Sequence, residues 1–316
     1  MNGPSDVLLG VRVGDLALAN PILVASGTYG SGVETADQVD LSRIGGVVTK
    51  SVTSRPRRGN PPPRIVETPS GLLNSIGLMN PGVDAFMERV MPALRELPCR
   101  HIVNLAGESE QDFRDLVRRF DGTEGVDALE LNVSCPNVAG GLDFGADPGL
   151  LEALVSACRE ATERPLWVKL TPNVTDVTLL ARAAERGGAD ALSLVNTFRG
   201  LAVDWRSRRP RLGSPTGGGG LSGPAIRPLA LHAVAAVHRA VEIPVVGIGG
   251  IASADDVLEF VVAGATAVQI GTGNFRDPHL PVRIADDLGA RLAQEGEGPL
   301  REMVGTLRLP DGPGRR

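Results

Sequence analysis

Eight short apolar runs, each followed by a stretch with helical periodicity, predict an α/β fold of the TIM (β/α)8 barrel type. The chain has 316 residues and 42% hydrophobic content, which suits one such barrel, so we expect a single domain over residues 1–316. Long loops follow strands 2 and 6, at residues 52–80 and 198–224, and barrels build active sites from loops in these positions. We also expect an N-terminal hairpin. An open doubly wound sheet is the structural alternative.

The eight runs are nearly continuously apolar, as expected for parallel strands that are buried on both faces. They cover residues 21–26, 46–51, 101–106, 128–134, 166–170, 191–196, 244–247 and 267–271. The helical patterns between them cover residues 81–97, 108–120, 148–162, 174–186, 226–241 and 253–263. This regular alternation is typical of a parallel sheet that closes into a barrel.

Composition and charge exclude several classes of protein. The formal net charge is −5 and the basic residues are scattered, unlike the concentrated positive surface of a nucleic-acid-binding protein. Residues 1–15 lack a basic segment followed by an apolar core, and no uninterrupted apolar stretch reaches about 18 residues. We therefore expect a cytoplasmic protein without a membrane anchor. Cys99, Cys135 and Cys158 are far apart and cannot hold a four-cysteine iron–sulfur cluster.

The last two predicted strands end in glycine-rich turns where we expect a phosphate. Gly249 and Gly250 follow the seventh strand, and Gly271 and Thr272 follow the eighth. Glycines let backbone N–H groups approach a phosphate, and barrels most often bind phosphate at these two positions. The alternative is that these glycines only turn the chain before the next helix.

A second glycine-rich run, at residues 218–223, matches the GxGxxG pattern. It follows a polar loop and no strand, so the context of a dinucleotide-binding motif is missing. We interpret it as a flexible loop that ends at a backbone contact.

The carboxyl ends of the other predicted strands are polar but poor in metal ligands. Their side chains are amides, hydroxyls and amines: Ser26, Lys50, Asn104, Asn132, Lys169, Asn196 and Thr197. Such groups suit a planar heterocycle that forms hydrogen bonds, and a lysine near the ring can stabilise negative charge on a reduced flavin. We expect a flavin and no metal. The alternative role for the lysines is to pair with a phosphate.

Cys135 leaves a predicted buried strand at the mouth of the barrel, within Asn132-Val133-Ser134-Cys135-Pro136-Asn137. A thiol has an unperturbed pKa of about 8.5, so modest electrostatic help makes it a competent base. A lone cysteine is more often a small buried apolar residue, and we assign that role to Cys99 and Cys158. The polar strand end favours a catalytic role for Cys135.

Several motifs, in order along the chain, resemble the class 1 dihydroorotate dehydrogenases. They are Thr49-Lys50-Ser51, Arg58-Gly59-Asn60-Pro61, residues 74–82, residues 132–137, Leu221-Ser222-Gly223-Pro224, residues 247–250 and Gly271-Thr272. The resemblance extends from about residue 11 to about residue 290. It implies the oxidation of dihydroorotate to orotate in de novo pyrimidine biosynthesis, with FMN as the cofactor.

The resemblance also implies roles for individual residues. Cys135 takes the C5 proton while a hydride leaves C6 of the substrate for N5 of FMN. Residues 133–145 are the expected lid, because this segment carries the base and is rich in glycine. The residues expected to hold the substrate are Lys50, Asn74, Ser75, Ile76, Gly77, Leu78, Asn132, Asn196 and Thr197. Those expected to hold FMN are Ser26, Lys50, Ser51, Asn104, Asn132, Lys169, Val195, Gly223, Gly249, Gly250, Gly271 and Thr272. For residues 74–78 the alternative is a simple turn, since Asn and Gly favour turns.

The resemblance is to a particular subclass. Class 2 members use serine at the base position and carry an N-terminal membrane element, and neither feature is expected here. Within class 1, residues 80–82, 140–145 and 220–225 are more similar to the type 1B catalytic subunit than to the fumarate-dependent type 1A, which is the alternative. Type 1B implies NAD⁺ as the final electron acceptor, reached through a second subunit that carries FAD and a [2Fe–2S] cluster. The implied assembly is a homodimer of this chain within a heterotetramer.

Three other functions are alternatives. A dihydropyrimidine dehydrogenase-like barrel shares FMN and a cysteine but acts on an uncharged base, whereas Lys50 and residues 74–78 favour a carboxylated substrate. A non-redox phosphate-binding barrel, such as an aldolase or isomerase, is the second. A non-catalytic binding barrel is the third, and it leaves Cys135 without a chemical purpose.

Overall fold

A computed structural model describes residues 8–134 and 144–310. Within these ranges, eight parallel strands close into a barrel in which each strand pairs with the next along the chain and the eighth pairs with the first. The barrel strands are Ile22–Val24, Gly46–Val48, Arg100–Leu105, Ala128–Asn132, Leu166–Lys169, Ala191–Leu194, Val245–Ile248 and Ala265–Ile270. The α-helices are Val83–Arg89, Met91–Leu94, Glu110–Phe120, Pro148–Arg159, Val177–Arg186, Arg227–His238, Ala254–Ala263, Gly273–Arg276 and Leu280–Glu295. The predicted TIM barrel is confirmed.

The barrel strands are buried on both faces, as their continuous apolar runs predict. Every residue of Ile22–Val24, Leu166–Lys169 and Val245–Ile248 is buried. Several strands end earlier than predicted, because the polar residues at the ends of the predicted runs leave the sheet. Lys50 and Asn196 therefore lie just beyond the carboxyl ends of their strands, where a ligand can reach them.

Helix starts follow from local capping. The side chains of Ser109, Asp147 and Ser253 each accept a hydrogen bond from the backbone N–H three residues later. The helix predicted over residues 81–97 instead begins at Val83 and divides at Val90. The break is explained by Pro92, which cannot donate the backbone hydrogen bond that would continue the first helix.

The predicted N-terminal hairpin is confirmed. Val11–Val13 pairs antiparallel with Leu16–Leu18 around a turn at Gly14, where φ is +59°. The Ala17 carbonyl accepts a hydrogen bond of 3.3 Å from Arg100 Nε at the start of the third barrel strand. The hairpin therefore covers the amino end of the barrel and leaves the carboxyl end open for a site.

The long loops after the second and sixth barrel strands form one antiparallel sheet. Its strands, in spatial order, are Phe198–Gly200, Gly219–Ser222, Gly71–Asn74 and Ile65–Thr68. The interpretation of residues 218–223 as a flexible loop is wrong, since most of this run is a sheet strand. A Cβ atom at Gly220 would overlap the Thr197 hydroxyl, so glycine is needed for this strand to lie against the end of the sixth barrel strand.

Candidate active site

The two lysines of the chain both lie at the carboxyl ends of barrel strands. Lys50 follows the second strand and Lys169 ends the fifth, where it is 6% exposed. Among the described residues, no carboxylate forms an ion pair with either ammonium group within 4.0 Å. Burial, and to a smaller extent the charge of Lys169, lowers the pKa of Lys50. This unbalanced positive charge suits an anionic ligand.

Asn132 is the centre of a polar cluster that joins three strand ends. Its Oδ1 accepts hydrogen bonds from Ser134 Oγ at 2.6 Å and from Asn196 Nδ2 at 3.3 Å. Its Nδ2 lies 3.5 Å from Ser51 Oγ. Asn132 is also the register partner of Lys169. The structure therefore brings four predicted site residues into one region, which presents amides and an ammonium group together.

A buried network that the sequence reasoning missed lies within the barrel. Glu130 is 0% exposed and accepts hydrogen bonds from Asn104 Nδ2 at 2.7 Å, Ser193 Oγ at 2.6 Å and Gln269 Nε2 at 2.7 Å. The amide oxygens of Asn104 and Gln269 are buried and have no hydrogen-bond partner in the described structure. A buried unpaired acceptor costs about 1–3 kcal/mol, so a ligand that donates a hydrogen bond would offset this cost. The feature of the sequence that indicates this network is the presence of polar residues inside otherwise apolar strands.

Three of the residues predicted to hold FMN converge. Gly223 and Gly250 have φ values of +91° and +73°, and a Cβ atom at Gly250 would lie 2.8 Å from Arg227 Cβ and 2.9 Å from the Gly223 carbonyl oxygen. Thr272 donates a hydrogen bond of 2.7 Å to Ser222 Oγ, beside Gly223. Backbone from the seventh and eighth strand ends thus meets the sheet formed by the long loops, in a cradle where two of the three residues are glycines with positive φ.

The other predicted cofactor residues have less specific surroundings. A Cβ atom at Gly249 would lie 2.7 Å from Ala230 Cβ, so helix packing alone explains that glycine. A Cβ atom at Gly271 would meet only ordinary contacts. Ser26 is half-buried after the first strand, and Val195 is buried with its N–H bonded to the barrel. These four residues share the strand-end location but form no cluster with one another among the described contacts.

The predicted substrate loop, Asn74 to Leu78, is held on both sides. Asn74 Nδ2 donates to the Gly220 carbonyl at 3.3 Å, which ties the loop to the strand beside Thr197. Ser75 Oγ accepts from Asn60 Nδ2 at 2.7 Å. The loop, with Ile76 and Gly77 at its middle, is therefore fixed by contacts from other segments and is more than an isolated turn.

Asn80, which the sequence reasoning did not single out, fixes the end of this loop. Leu78 has a φ of +54°, which is strained for a residue with a large side chain. Asn80 Nδ2 donates to the Leu78 carbonyl at 2.7 Å and to Thr53 Oγ1 at 2.8 Å. Asn80 Oδ1 accepts from Gly82 N at 2.9 Å. This buried amide holds Leu78 in the strained conformation.

Comparison with known proteins identifies the family. A sequence profile described as dihydroorotate dehydrogenase matches residues 8–292. The chain belongs to the dihydroorotate dehydrogenase family. It is 50% identical over 300 residues to the dihydroorotate dehydrogenase B (NAD(+)) catalytic subunit of Trichlorobacter lovleyi, and 49% identical over 302 residues to that of Geobacter sulfurreducens. Each match covers 95% of this chain and 98% of the relative.

A solved structure has the same fold. The crystal structure of DHODH in complex with ferulenol from Eimeria tenella superposes with a TM-score of 0.78 at 24% sequence identity. The superposition covers 96% of this chain and 89% of that chain. The two chains therefore share their overall architecture.

The cysteines of this dihydroorotate dehydrogenase fall into two groups. Cys135, the predicted base, lies outside the described residues, as does most of the predicted lid over residues 133–145. Cys158 is buried and Cys99 is partly buried. Burial, with a smaller contribution from Asp127 at Cys99 and from Glu110 at Cys158, raises the pKa of each thiol to about 12. Neither thiol is a useful base at neutral pH.

Two kinds of feature are absent from the described residues. No group of three or more His, Cys, Asp or Glu side chains there is arranged to hold a metal ion. In the same part of the chain, no helix has the length and apolar character needed to span a membrane.

Proposed function

We propose that this chain is the catalytic subunit of an NAD⁺-linked dihydroorotate dehydrogenase, which oxidises (S)-dihydroorotate to orotate in de novo pyrimidine biosynthesis. Relatives that are named as this catalytic subunit are about 50% identical to the chain. The alignments cover almost the whole of this chain and of each relative. The observation that carries the proposal is the pair of lysines without a carboxylate partner beside the amides of Asn132 and Asn196. Such a site suits an anion whose planar ring both donates and accepts hydrogen bonds.

The residues at this end of the barrel fit FMN. The cradle of Gly223, Gly250 and Thr272 suits its phosphate, because glycine at two of the three positions adds no side chain of its own over the backbone N–H groups. The unpaired Asn104 Oδ1 suits a hydrogen-bond donor on the cofactor, and Lys169 suits negative charge on the flavin ring. The other residues that we assign to FMN are Ser26, Lys50, Ser51, Asn132, Val195, Gly249 and Gly271. When bound, FMN supplies the acceptor for a hydride.

The substrate-binding residues orient and neutralise the substrate. Lys50 pairs with its carboxylate, which offsets the burial of the ammonium group. The amides of Asn132 and Asn196 are already fixed by their mutual hydrogen bond and by Ser134, so little ordering is needed when the ring binds. Thr197 and the loop from Asn74 to Leu78 complete the site from the other side.

Cys135 acts as the base. It follows Ser134 directly in the chain, and the Ser134 hydroxyl is hydrogen-bonded to Asn132 and Asn196. This contact anchors the chain next to Cys135 within the substrate cluster. The thiolate takes the C5 proton, the C6 hydrogen leaves as a hydride, and the electron pair of the broken C5–H bond forms the C5=C6 double bond of orotate.

We assign the enzyme to the cytoplasm and to a heterotetramer, in which a homodimer of this chain binds a second subunit that carries FAD and a [2Fe–2S] cluster and passes electrons to NAD⁺. The relatives' names describe a catalytic subunit, which supports a partner. Leu201, Val203 and Trp205 follow the sixth barrel strand and are 59%, 54% and 72% exposed. Exposed apolar residues of this kind are typical of subunit contacts.

Ligand titration of the purified chain tests this function. We expect a yellow protein with one FMN per chain, and an orotate-induced change in the flavin spectrum at a concentration about 100-fold lower than uracil requires. Equal binding of uracil and orotate would favour a dihydropyrimidine dehydrogenase-like enzyme. A colourless protein that takes up no FMN would contradict the proposal and favour a non-redox barrel.

A further inference from the structure

The buried network around Glu130 has an unusual balance of donors and acceptors. Glu130, Ser193 and Gln269 come from the fourth, sixth and eighth barrel strands, which contribute to the same layer of a barrel interior, and Asn104 comes from the third strand. All four residues are 0% exposed. The described residues place no lysine, arginine or histidine nitrogen within 4.0 Å of the Glu130 carboxyl group. In the part of the chain that the structure describes, Glu130 is therefore held by neutral donors.

The Glu130 carboxylate determines which end of each neighbouring amide points toward it. An amide has a donor end and an acceptor end of nearly the same shape, so its neighbours decide its orientation. A carboxylate only accepts, and both Asn104 and Gln269 therefore direct their NH₂ groups to Glu130. Among the described residues, their oxygens consequently have no hydrogen-bond partner.

We propose that Glu130 is a positioning residue for the cofactor: by taking the NH₂ group of Asn104, it presents Asn104 Oδ1 as an acceptor to a donor group of FMN. This inference rests on the proposed function, since it requires FMN in the barrel mouth. Glu130 itself does not touch the cofactor. Its effect passes through the orientation of one amide.

Exchanging the carboxyl group of Glu130 with the amide of Asn104 distinguishes this positioning role from a purely structural one. Glu130→Gln gives Asn104 a partner that both donates and accepts, so the Asn104 amide is free to turn its NH₂ group toward the cofactor. Asn104→Asp alone places two carboxyl groups side by side. In the double variant, the amide at position 130 donates to the carboxyl group at position 104, whose second oxygen again faces the cofactor as an acceptor.

The test is the FMN dissociation constant of full-length protein, measured from the fluorescence of free flavin, with thermal unfolding of the FMN-free variants as a stability control. We expect Glu130→Gln and Asn104→Asp each to weaken FMN binding by about tenfold or more, and the double variant to bind within about threefold of wild type. Ser193→Ala, the matched control, removes one donor from Glu130 without freeing Asn104. We expect its FMN affinity to stay within about threefold of wild type.

Several results would overturn the inference while the proposed function stands. They are wild-type affinity in Glu130→Gln, equal losses in Ser193→Ala and Glu130→Gln, or a double variant that binds FMN no better than Asn104→Asp. If Glu130→Gln does not fold, Asn104→Asp and the double variant are compared directly, and a double variant that does not fold also counts against the inference. A wild-type protein that binds no FMN would instead reject the proposed function.

Discussion

Lys50 and Lys169 lie close enough at the mouth of the barrel for the charge of Lys169 to lower the pKa of Lys50, in addition to the larger effect of burial. Neither ammonium group has a carboxylate partner among the described ion pairs. Two like charges in this arrangement oppose folding unless an anion joins them. The lysines are therefore explained by ligand binding and not by stability, and this relationship leads to the first prediction.

We predict that Lys50→Met stabilises the ligand-free protein while it impairs catalysis. At neutral pH the unfolded chain holds the Lys50 proton more strongly than the folded chain does. The cost of the charged Lys50 to the free energy of folding is therefore largest at this pH. This cost disappears as the pH rises from the lowered pKa of Lys50 in the folded protein toward its ordinary value of 10.5. We expect Tm to increase by about 2 °C or more at pH 7 and by less near pH 10, and kcat/KM to fall by about 100-fold. The control is Arg239→Met, which makes the same change of charge at an exposed residue. A lower Tm for Lys50→Met than for wild type at pH 7 would contradict the explanation that Lys50 serves ligand binding and not stability.

Gly250→Ala is expected to weaken FMN binding by about tenfold or more. Gly250 has a φ of +73°, and an added Cβ atom would lie 2.8 Å from Arg227 Cβ and 2.9 Å from the Gly223 carbonyl oxygen, so the backbone that forms the cradle must shift. Gly122 has a φ of +68° with nothing within 4 Å of the added atom. Gly122→Ala should therefore cost a similar backbone strain of about 1 kcal/mol but leave FMN affinity unchanged. Equal FMN affinities for the two variants would remove Gly250 from the phosphate site.

Cys135→Ala should lower kcat by about 100-fold to 10,000-fold and retain bound FMN, since the thiol is assigned to proton transfer and not to cofactor binding. Cys99→Ala is the control because burial raises the pKa of that thiol to about 12.

In the wild type, the rate of flavin reduction should rise with pH as Cys135 ionises. Alkylation at neutral pH, followed by peptide mass analysis, should modify Cys135 faster than Cys99 or Cys158. A fully active Cys135→Ala variant would show that another group is the base.

Asn80→Ala should raise the KM for dihydroorotate by about tenfold with little change in FMN affinity, because Leu78 loses the amide that holds its strained conformation. Asn20→Ala is a matched control. Asn20 is also 8% exposed and also hydrogen-bonds backbone, but it lies at the amino end of the barrel. Steady-state kinetics separate the two variants. A similar KM change in both would show a general effect on stability and not on the substrate loop.

The barrel could be predicted from the sequence because its strands are buried on both faces and read as continuous apolar runs. The strand at residues 219–222 could not, because glycine has a low β-propensity and the strand depends on pairing with Leu72–Asn74 from a distant loop. The same limit applies to Glu130. Its partners come from three other strands, and only the closed barrel brings them together.

The candidate site was predicted as a set of residues, but its organisation required the structure. The polar strand ends indicated Lys50, Asn132 and Lys169 individually. Their mutual effects, such as the influence of Lys169 on the pKa of Lys50, depend on distances across the barrel that no sequence pattern encodes. Asn80 belongs to the motif at residues 74–82, yet the five hydrogen bonds of its side chain to Thr53, Leu78 and Gly82 appear only in the folded loop.

The central claim, oxidation of dihydroorotate by this chain, is tested most directly by anaerobic stopped-flow absorbance of the FMN-loaded protein mixed with (S)-dihydroorotate. We predict rapid bleaching of the flavin band, no reoxidation by fumarate, and reoxidation by NAD⁺ only after the electron-transfer subunit is added. Reoxidation by fumarate would place the enzyme in type 1A. Absence of bleaching in protein that holds FMN would contradict the claim.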